Sequence, residues 1–573
     1  MAAYEKVGEV EVAVLEPEDK DVSTGGSEEK RDSWGDKTEY MLALIGYAVG
    51  IGNLWRFPYL CHRYGGGSFL IPYIIMLVLL GIPLFCLETS LGQLTKRGAP
   101  GAFAAMHSAF RGIGFAAMVL DLICSFYYNS IIMWILRYFF SSFTTGALPW
   151  SACPVDVETC CIHEDNSTMY YWYYETLGAS NDITTVGGID WYLFGTLIVA
   201  WVVCFLCMSR GVESSGKVVY FTATFPYLLL VVLFFRGVTL PGAREGILYY
   251  LTPKWEHLAD PTVWRTAATQ IFYSLGISFG SVVAYSSYNK SNNDCIRDGI
   301  VVTLINCGTS VFGGFVIFSL LGYRAHKTGV KFEELKSGPG LAFIAITDAI
   351  SEMSVGPLWS ILFFFMLFLL GLDSQFGMLE SLLTSLKDEF TYLNKIRKEF
   401  VSGGICLVLC ILAIPMSFEG GLYIVDLLDN WSLSYPLLIV AFLEIVVVAW
   451  VYGVNKFCKD IKDMIGYEPN IYFKACWLVI CPLVIAVLIL SGIGLSIIEG
   501  YPLYDKFVGC DNSTLEAQGL PLEANPTWVV KDQYPGVFVF IIVLLNAFSC
   551  FMIPGYMIFY YKEKIVSLWR SKF

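Results

Sequence analysis

Residues 46–56 read Gly-Tyr-Ala-Val-Gly-Ile-Gly-Asn-Leu-Trp-Arg and interrupt the first long apolar stretch of the chain. Three glycines, one Asn and one Arg in eleven positions favour unwinding of a helix here. At membrane depth, unwound backbone is tolerated only where it is buried in protein or lines a cavity, because lipid cannot satisfy free N–H and C=O groups. The stretch therefore predicts a broken helix that forms part of a binding site.

A second interruption lies about halfway along the chain. Residues 274–280 read Ser-Leu-Gly-Ile-Ser-Phe-Gly, inside an apolar stretch that extends from about 263 to 288. Two broken helices in corresponding positions of two halves are typical of secondary transporters, whose site lies near the middle of the bilayer. The pattern predicts this class of membrane protein.

The composition also indicates a polytopic membrane protein. Of the 573 residues, 56% are hydrophobic and only 15% are charged, which is too apolar for a soluble globular protein. A helix of about 20 apolar residues is long enough to cross the hydrocarbon core. We predict an all-α fold with twelve membrane helices, near residues 40–62, 67–94, 114–142, 190–208, 217–236, 263–288, 298–323, 357–386, 399–416, 427–453, 472–498 and 534–561.

The placement of Lys and Arg predicts the orientation of these helices. Basic residues of the short connections, such as Lys96, Arg210 and Lys456, all fall on one side, which the positive-inside rule assigns to the cytoplasm. The connection at about 143–189 carries no Lys or Arg and is predicted to lie outside. The loop at about 324–356 is predicted to lie outside as well. It carries basic residues, but basic residues in long loops have less influence on orientation.

Both termini are then expected in the cytoplasm of a multi-pass plasma-membrane protein. The first 38 residues hold 11 acidic and 5 basic side chains, a composition typical of a disordered tail. The predicted domains are the tail at 1–38, a twelve-helix transport domain at 39–562 and a short cytoplasmic tail at 563–573.

Most of the 17 cysteines lie in apolar segments, where a free thiol behaves as a small hydrophobic group. Cys153, Cys160 and Cys161 differ, because they lie in the first predicted outside loop beside the glycosylation sequon of Asn166. A disulfide is expected there, and the adjacent Cys160 and Cys161 leave its partner open. A second sequon at Asn512 supports the same orientation.

The sequence excludes several other energy sources and activities. Residues 211–217 have the spacing of a phosphate-binding loop, but Val218 stands where Ser or Thr is required and no soluble strand precedes it. No His and Cys residues are spaced as a metal site, and no soluble domain is present for hydrolysis. We therefore predict neither an enzyme nor an ATP-driven pump, and no nucleic-acid partner.

Polar residues within the apolar stretches are the candidates for ion binding. Sodium needs several oxygen ligands, which unwound carbonyls and Asn, Ser, Thr or Asp side chains can supply. Asn53, Ser274, Asn306 and Ser310 are of this kind, although an isolated Ser or Asn also serves as a hydrogen bond between helices. Asp373 is a stronger candidate, because a carboxylate inside an apolar helix is costly unless it is paired or functional.

These motifs together resemble the neurotransmitter:sodium symporter family. The likeness is carried by residues 46–59, the triple glycine 65–67, Ser-Tyr-Asn-Lys at 287–290 and Leu-Gly-Leu-Asp-Ser at 370–374, and it covers roughly residues 31–562. It implies an inverted repeat of helices 1–5 and 6–10, in which helices 1 and 6 are broken, followed by two further helices. It also implies coupling to Na⁺ and Cl⁻.

The resemblance implies two sodium sites and one chloride site. The first sodium would be bound by the Ala48 carbonyl, Asn53, Ser274 and Asn306, and the second by Gly46, Val49, Leu370, Asp373 and Ser374. Chloride would be bound by Tyr73, Gln270, Ser274, Asn306 and Ser310. Chloride-independent relatives place a carboxylate near the position of Ser310, so the neutral serine predicts a bound anion that balances the sodium charge.

The expected substrate follows from Gly50. Monoamine carriers of the family hold the amine with an Asp at this position of the first broken helix, and this chain lacks it. A ligand that brings its own carboxylate to a half-helix end and the first sodium is therefore expected, which means a small zwitterionic amino acid. The residues expected around it are Tyr47, Gly50, Gly52, Tyr128, Phe279 and Gln375.

The resemblance also implies two gates. Arg56 and Asp429 match the outer pair, below which Tyr128 and Phe279 form a lid, and Arg31, Trp34, Tyr288 and Asp388 match the inner closure. Glu88 and Glu444 match structural carboxylates that accept backbone hydrogen bonds. The family's outside disulfide would join Cys153 to Cys161, but the loop lacks the Trp-Asn-Thr that many animal relatives carry between the cysteines, so Cys160 stays an alternative.

The function predicted is sodium- and chloride-coupled uptake of a small amino acid by alternating access. Gln375 and the stretch 236–242 most resemble the GABA, glycine and proline carriers. Taurine, betaine or creatine is the alternative substrate, and a nontransporting scaffold or receptor is the alternative class. The expected partners are the substrate, membrane lipid and, in a homo-oligomer, further copies of the chain.

Overall fold

A computed structural model describes residues 33–153, 167–329, 341–500, 502–507 and 529–570. Arg31, Cys160, Cys161, Asn166 and Asn512 lie outside the described residues, so the predictions for them stay untested.

The described part of the chain is almost entirely helical. The α-helices of its first half are α1 (Lys37–Ala48), α2 (Ile51–Leu54), α3 (Arg56–Arg63), α4 (Gly67–Met76), α5 (Ile82–Thr95), α6 (Ala99–Met106), α7 (Arg111–Ser141), α8 (Ser167–Tyr170), α9 (Trp191–Met208), α10 (Val212–Thr222), α11 (Phe225–Val238), α12 (Ala243–Leu251), α13 (Pro261–Leu275) and α14 (Ser281–Ser287). The second half contains α15 (Cys295–Thr328), α16 (Leu341–Ser351), α17 (Gly356–Glu389), α18 (Lys398–Ala413), α19 (Gly421–Leu427), α20 (Ser434–Ile445), α21 (Val454–Ile465), α22 (Ile471–Ala475), α23 (Cys481–Glu499) and α24 (Gly536–Arg570).

Ten helical segments of the described chain are long and apolar enough to cross a membrane. The two predicted spans that are missing from this set are 40–62 and 263–288, which contain the interruptions. Each is divided into helices too short to span alone, namely α1 to α3 in the first and α13 with α14 in the second. The difference between twelve predicted spans and ten continuous ones therefore coincides with the two breaks.

The backbone shows why each break occurs where it does. In the first, Val49 leaves helical geometry and Gly50 is extended, with φ −112° and ψ −167°, before the helix restarts at Ile51. In the second, Gly276 and Gly280 have φ values of +62° and +86°, which glycine adopts without steric cost. Ser278 between them also has a positive φ of +68°, which is strained for a residue with a side chain.

Two buried carboxylates hold this strained serine. The Ser278 N–H donates to Glu88 Oε1 at 2.7 Å, and its hydroxyl donates to Glu444 Oε2 at 2.8 Å. Unwound backbone in a membrane protein needs such partners for its free polar groups. The predicted role of Glu88 as a hydrogen-bond acceptor for backbone is in agreement with this contact, whereas Glu444 binds the side chain.

Helix α7 lies at the centre of the bundle. It packs against α17 along much of its length and also against α6, α9 and α24. At Gly114 an added Cβ would collide with the backbone of Ala99 and Pro100, so the absence of a side chain lets α6 approach. The helices α1 and α14 of the two interrupted spans both pack on α17. Residues of the two breaks are thereby brought beside α7 and α17.

The last predicted outside loop contains a small sheet that the all-α prediction did not include. Strands β1 (Leu503–Phe507) and β2 (Val529–Gln533) pair antiparallel. Lys506 of β1 lies 3.0 Å from Asp182 in the 143–189 connection. Burial acts to raise the pKa of the Asp182 carboxyl, but hydrogen bonds from Thr184 and the Lys506 ammonium outweigh it and hold the pKa below its usual range.

Candidate functional site

A polar cluster forms where the first break meets the second. The Asn53 amide nitrogen donates to Ser274 Oγ at 3.2 Å and to Ser310 Oγ at 2.8 Å, and it also contacts Asn306 Oδ1. Ser274 donates in turn to Asn306 Oδ1 at 3.1 Å. All four side chains are buried. The structure thus brings together three predicted side-chain ligands of the first sodium, and α1 ends beside them at Ala48.

The orientation of the Asn53 amide decides how this cluster could hold a cation. Its Oδ1 accepts from the Gly50 N–H at 3.0 Å, while its NH₂ group faces the cluster. Rotation of the amide by 180° about χ2 exchanges the two atoms with little change in shape. Asn53 Oδ1 would then join Ser274 Oγ and Asn306 Oδ1, and this oxygen-only set fits the requirements of Na⁺.

Two further predicted chloride ligands are Tyr73, which borders the same cluster, and Gln270, which lies one turn before Ser274 on α13. The Tyr73 hydroxyl donates to Ser310 Oγ at 3.2 Å, and both residues are fully buried. Gln270 is buried as well, and neither its Nε2 nor its Oε1 has a hydrogen-bond partner among the described residues. A buried amide donor without an acceptor is costly. Gln270, Tyr73 and Ser310 supply N–H and O–H donors, which is the chemistry that an anion needs.

The second predicted sodium site lies between α1 and α17. Asp373 is 2% exposed, and neither of its carboxylate oxygens has a hydrogen-bond partner in the part of the chain that the structure describes. A Cβ built on Gly46 would lie 2.7 Å from Asp373 Oδ2, so the two helices touch at this glycine. Leu370 lies one turn before Asp373 on α17. Ser374 follows Asp373, and its hydroxyl donates to the Tyr47 carbonyl of α1 at 3.0 Å. Val49 stands at the end of α1, where its backbone leaves the helix.

The predicted substrate residues gather at the first break. A Cβ on Gly50 would lie 2.5 Å from Ser374 Oγ and 3.0 Å from the Tyr128 hydroxyl oxygen, which itself accepts from the Ile51 N–H at 3.4 Å. A Cβ on Gly52, by contrast, would meet nothing within 4 Å. Space beside the break is therefore limited at Gly50 and open at Gly52.

Three further predicted substrate residues are placed by the second break and by α17. Tyr47 donates from its hydroxyl to the Gly276 carbonyl at 3.0 Å, joining the two breaks. Phe279 is buried within the second break. Gln375 points toward α7, where its Nε2 donates to the Ser125 carbonyl at 3.1 Å. The structure therefore gives Gln375 a hydrogen bond between helices and, among the described residues, no hydrogen bond to Gly50 or Tyr128.

The predicted outer pair is close but not in tight contact. Arg56 Nη1 lies 3.9 Å from Asp429 Oδ1, and the guanidinium stacks 4.4 Å above the Tyr273 ring. Asp429 is held from two other directions: Tyr127 donates to its carboxylate at 3.0 Å, and Tyr273 donates to its backbone carbonyl at 3.1 Å. Neither tyrosine was predicted from the sequence as part of the outer pair, although Tyr127 adjoins the predicted Tyr128.

Three of the four residues predicted for the inner closure lie in the described chain, namely Trp34, Tyr288 and Asp388. Trp34 is buried and donates from its indole N–H to the Tyr285 carbonyl at 3.0 Å. Tyr288 donates to Glu380 at 2.9 Å, and Asp388 accepts from the Gly98 N–H at 2.6 Å.

An ion pair at the start of α1 was not predicted from the sequence. Lys37, the first residue of α1, lies 2.8 Å from the buried Asp298 near the start of α15. Asn293 donates to the other oxygen of the same carboxylate at 2.9 Å. The pair ties the beginning of the first interrupted span to the helix that carries Asn306.

One cysteine of the predicted outside disulfide lies in the described chain. Cys153 is disulfide-bonded. Both predicted partners lie outside the described residues, so the choice between Cys160 and Cys161 stays open.

Comparison with known proteins agrees with this arrangement. The family described as "Sodium:neurotransmitter symporter family" matches residues 31–564, which is nearly the whole chain. The chain is 43% identical to the sodium- and chloride-dependent glycine transporter 1 of Xenopus laevis over 486 residues, covering 79% of this chain and 76% of that protein. It is 40% identical to the sodium-dependent neutral amino acid transporters B(0)AT1 of Rattus norvegicus and Mus musculus over 519 residues, covering 80% of this chain and 81% of each.

A match of this extent, to a chain whose described part contains ten helical segments long and apolar enough to cross a membrane, settles the family. The chain is a multi-pass membrane protein that belongs to the sodium:neurotransmitter symporter family.

Proposed function

We propose that the protein carries a small neutral amino acid into the cell together with Na⁺ and Cl⁻. The observation that carries this proposal is Asp373, a buried carboxylate with no hydrogen-bond partner among the described residues, held against the end of a broken helix. Such a group in a membrane helix is expected to bind a cation. Family membership and the names of the two kinds of relative support transport rather than catalysis.

The proposed first sodium site consists of the Ala48 carbonyl, Asn53, Ser274 and Asn306, and the second of Gly46, Val49, Leu370, Asp373 and Ser374. The support for the first is the polar cluster around Asn53, and for the second the close approach of Gly46 to Asp373. The chain itself supplies no carboxylate to the first site. A sodium bound there together with a zwitterionic substrate, whose two charges cancel, would leave a net positive charge in a buried position, which is costly unless an anion is near.

Chloride is proposed to supply that anion. The donors of Tyr73, Gln270 and Ser310 would surround it, and Ser274 and Asn306 would be shared with the first sodium. Opposite charges a few ångströms apart at low dielectric attract by several kcal/mol. The glycine transporter relative is named as chloride-dependent, whereas the B(0)AT1 relatives are named only as sodium-dependent. The buried, unpartnered amide of Gln270 favours the chloride-dependent alternative for this chain.

The proposed substrate class rests on the space and charge at Gly50. A side chain there would press on Ser374 and Tyr128, and no acidic group of α2 replaces the missing Asp. The substrate carboxylate is proposed to meet the Tyr128 hydroxyl and the first sodium. Glycine, GABA, proline and other neutral amino acids fit this chemistry. Taurine, betaine and creatine remain the alternative substrates.

The transport cycle is proposed to alternate between the two closures described above. Arg56 with Asp429 would close the outer side, and Trp34, Tyr288, Asp388 and Arg31 the inner side. The proposed architecture has twelve membrane helices, with helices 1–5 and 6–10 forming an inverted repeat, both termini in the cytoplasm and the protein in the plasma membrane. The continuous spans and the two breaks support this arrangement.

Uptake of labelled amino acids by cells that express the chain tests the proposal. Glycine, GABA, proline, alanine and leucine are supplied in medium containing sodium chloride, choline chloride or sodium gluconate. We expect one or more of them to enter in sodium chloride, not to enter with choline, and to enter slowly with gluconate. Uptake that is equal in all three media would contradict the proposal.

A further inference from the structure

Helix α7 carries a second membrane carboxylate that the proposed function does not use. Asp121 is fully buried, and neither of its oxygens has a hydrogen-bond partner among the described residues. Of the carboxylates that the structure describes, only Asp373 shares this condition for both buried oxygens. An uncompensated carboxylate inside a membrane helix is by default a functional position.

Asp121 lies between the substrate residues and the inner closure. It precedes Tyr128 by seven positions on α7, so the two side chains share a face about 10 Å apart. The start of α7 lies near the end of α17, where Arg111 pairs with Glu389 at 3.4 Å beside Asp388 of the inner closure. Ser381 is likewise two turns beyond Ser374 on α17. Asp121 and Ser381 therefore belong to a polar layer that lies two helical turns inward of the substrate site.

Hydroxyl groups from two other elements face this carboxylate. They belong to Ser281, the first residue of α14, and to Ser381. Ser281 Oγ is itself buried without a hydrogen-bond partner in the described chain. A Cβ on Gly280 would lie 3.4 Å from Ser381 Oγ and 3.8 Å from the Ala117 side chain, which places α14 beside both α17 and α7.

The layer is connected to the substrate site through one tyrosine. The Tyr47 side chain lies beside the Ser281 hydroxyl and donates to the Gly276 carbonyl in the second break. Ser281, Ser381 and Asp121 come from α14, α17 and α7. Helices α7 and α14 both pack on α17. A ligand held by all three would therefore tie α14 and α17 to α7 while it is bound.

The chemistry of the layer is that of a hard monovalent cation. It offers two carboxylate oxygens and two hydroxyl oxygens, and neither nitrogen nor sulfur is among these donors. One carboxylate balances a single positive charge. We infer that Asp121, Ser281 and Ser381 form a third sodium site, inward of the two sites proposed above.

The inference rests on the proposed symport and adds one coupling ion to it. A third sodium per substrate carries one more elementary charge across the membrane in each cycle. Asp121→Asn keeps the shape of the side chain and removes its charge. The ratio of charge moved to substrate carried should therefore fall by one elementary charge in this variant, while the variant still uses the first two sodium ions.

Current and tracer uptake recorded together under voltage clamp measure this ratio. The matched control is Asp190→Asn, which neutralises a carboxylate that caps α9 by accepting from the Tyr192 and Leu193 N–H groups. The control should keep the wild-type ratio. An Asp121→Asn variant that also keeps it would overturn the inference. A ratio that follows external pH instead of sodium would overturn it too, because the site would then take a proton.

Thermal melting provides a second measurement, which can be made even on a variant that no longer transports. Purified protein is melted in rising sodium, with choline holding the ionic strength constant, because a ligand that binds the folded state raises the melting temperature. Asp121→Asn, Ser281→Ala and Ser381→Ala should each show a smaller rise at saturating sodium than wild type and Asp190→Asn. An equal rise in all five proteins would overturn the inference. Absence of sodium-dependent uptake by the wild-type chain would instead refute the proposed function.

Discussion

Gly46 of α1 lies directly against Asp373 of α17, because a Cβ added to this glycine would lie only 2.7 Å from the carboxylate Oδ2. A residue with a side chain at 46 would have to displace the carboxylate or the helix. The missing Cβ therefore leaves the unpartnered carboxylate within reach of the last turn of α1. This contact is the geometric basis of the second proposed sodium site.

Substitutions at this contact should remove sodium-driven transport. Asp373→Asn removes the charge that holds the ion, and Gly46→Ala pushes a methyl group into the carboxylate at a cost of about 1–3 kcal/mol. We expect uptake to fall by about tenfold or more in either variant, since 1.4 kcal/mol corresponds to a factor of ten. Tracer uptake against sodium concentration measures the effect, with surface labelling as the check on expression. Gly404→Ala in α18, away from the proposed sites, is the matched control, because a Cβ there would meet nothing within 4 Å. Normal sodium dependence in Asp373→Asn would refute the site.

Ser310 should determine the dependence on chloride. Ser310 is buried, lies 3.2 Å from the Tyr73 hydroxyl and accepts from Asn53. Ser310→Glu would place a fixed negative charge where the anion is proposed to bind. We expect this variant to transport equally in chloride and gluconate, while wild type loses most of its uptake in gluconate. Ser310→Gln, of the same size without the charge, serves as the control. If Ser310→Glu still requires chloride, the anion binds elsewhere.

Gly50 should tolerate neither bulk nor charge. A Cβ there would stand 2.5 Å from Ser374 Oγ, so Gly50→Ala is expected to reduce amino-acid uptake strongly by steric overlap alone. Gly50→Asp adds repulsion of the substrate carboxylate, on the order of several kcal/mol at low effective dielectric. Competition by dopamine and serotonin in the wild-type protein is the independent readout. Neither amine should compete, and inhibition by either at the level of a transported amino acid would show that another group recognises amines.

The ion pair of Lys37 with Asp298 should stabilise the inner closure. Asp298 is buried while Lys37 is half exposed, so loss of the lysine leaves a carboxylate without its cation at a cost of about 1–3 kcal/mol. We expect Lys37→Ala to favour the state that is open inward. A cysteine introduced in place of Thr384, beside Tyr288, should then react faster with a thiol reagent applied from the cytoplasm. Lys37→Arg should keep the slow rate, and equal rates in all three proteins would exclude a role in closure.

The sequence predicted the positions of both breaks, because glycine content and lost apolar character are local properties. The bends at Gly50 and Gly276 fall within the predicted stretches 46–56 and 274–280. The partners of the gates were harder to foresee. Tyr127 reaches Asp429 across 302 positions, and no local pattern marks that pairing.

Two other features were missed for different physical reasons. The strands Leu503–Phe507 and Val529–Gln533 are short and separated by a long segment, so hairpin signals such as a tight turn are lacking. Asp121 could have been found by the argument that selected Asp373, since both are carboxylates within apolar helices. The sequence alone does not reveal that the Asp121 oxygens are buried or that two serines face them, because both features depend on how α7, α14 and α17 pack.

The most direct test of sodium-coupled amino-acid transport uses purified protein in sealed liposomes. An inward gradient of sodium chloride is imposed, and accumulation of each labelled amino acid is followed over time with and without a sodium ionophore. We expect at least one neutral amino acid to rise transiently above its external concentration and to return to equilibrium when the ionophore dissipates the gradient. Accumulation that is unchanged by the ionophore, or a monoamine that accumulates while every amino acid fails, would contradict it.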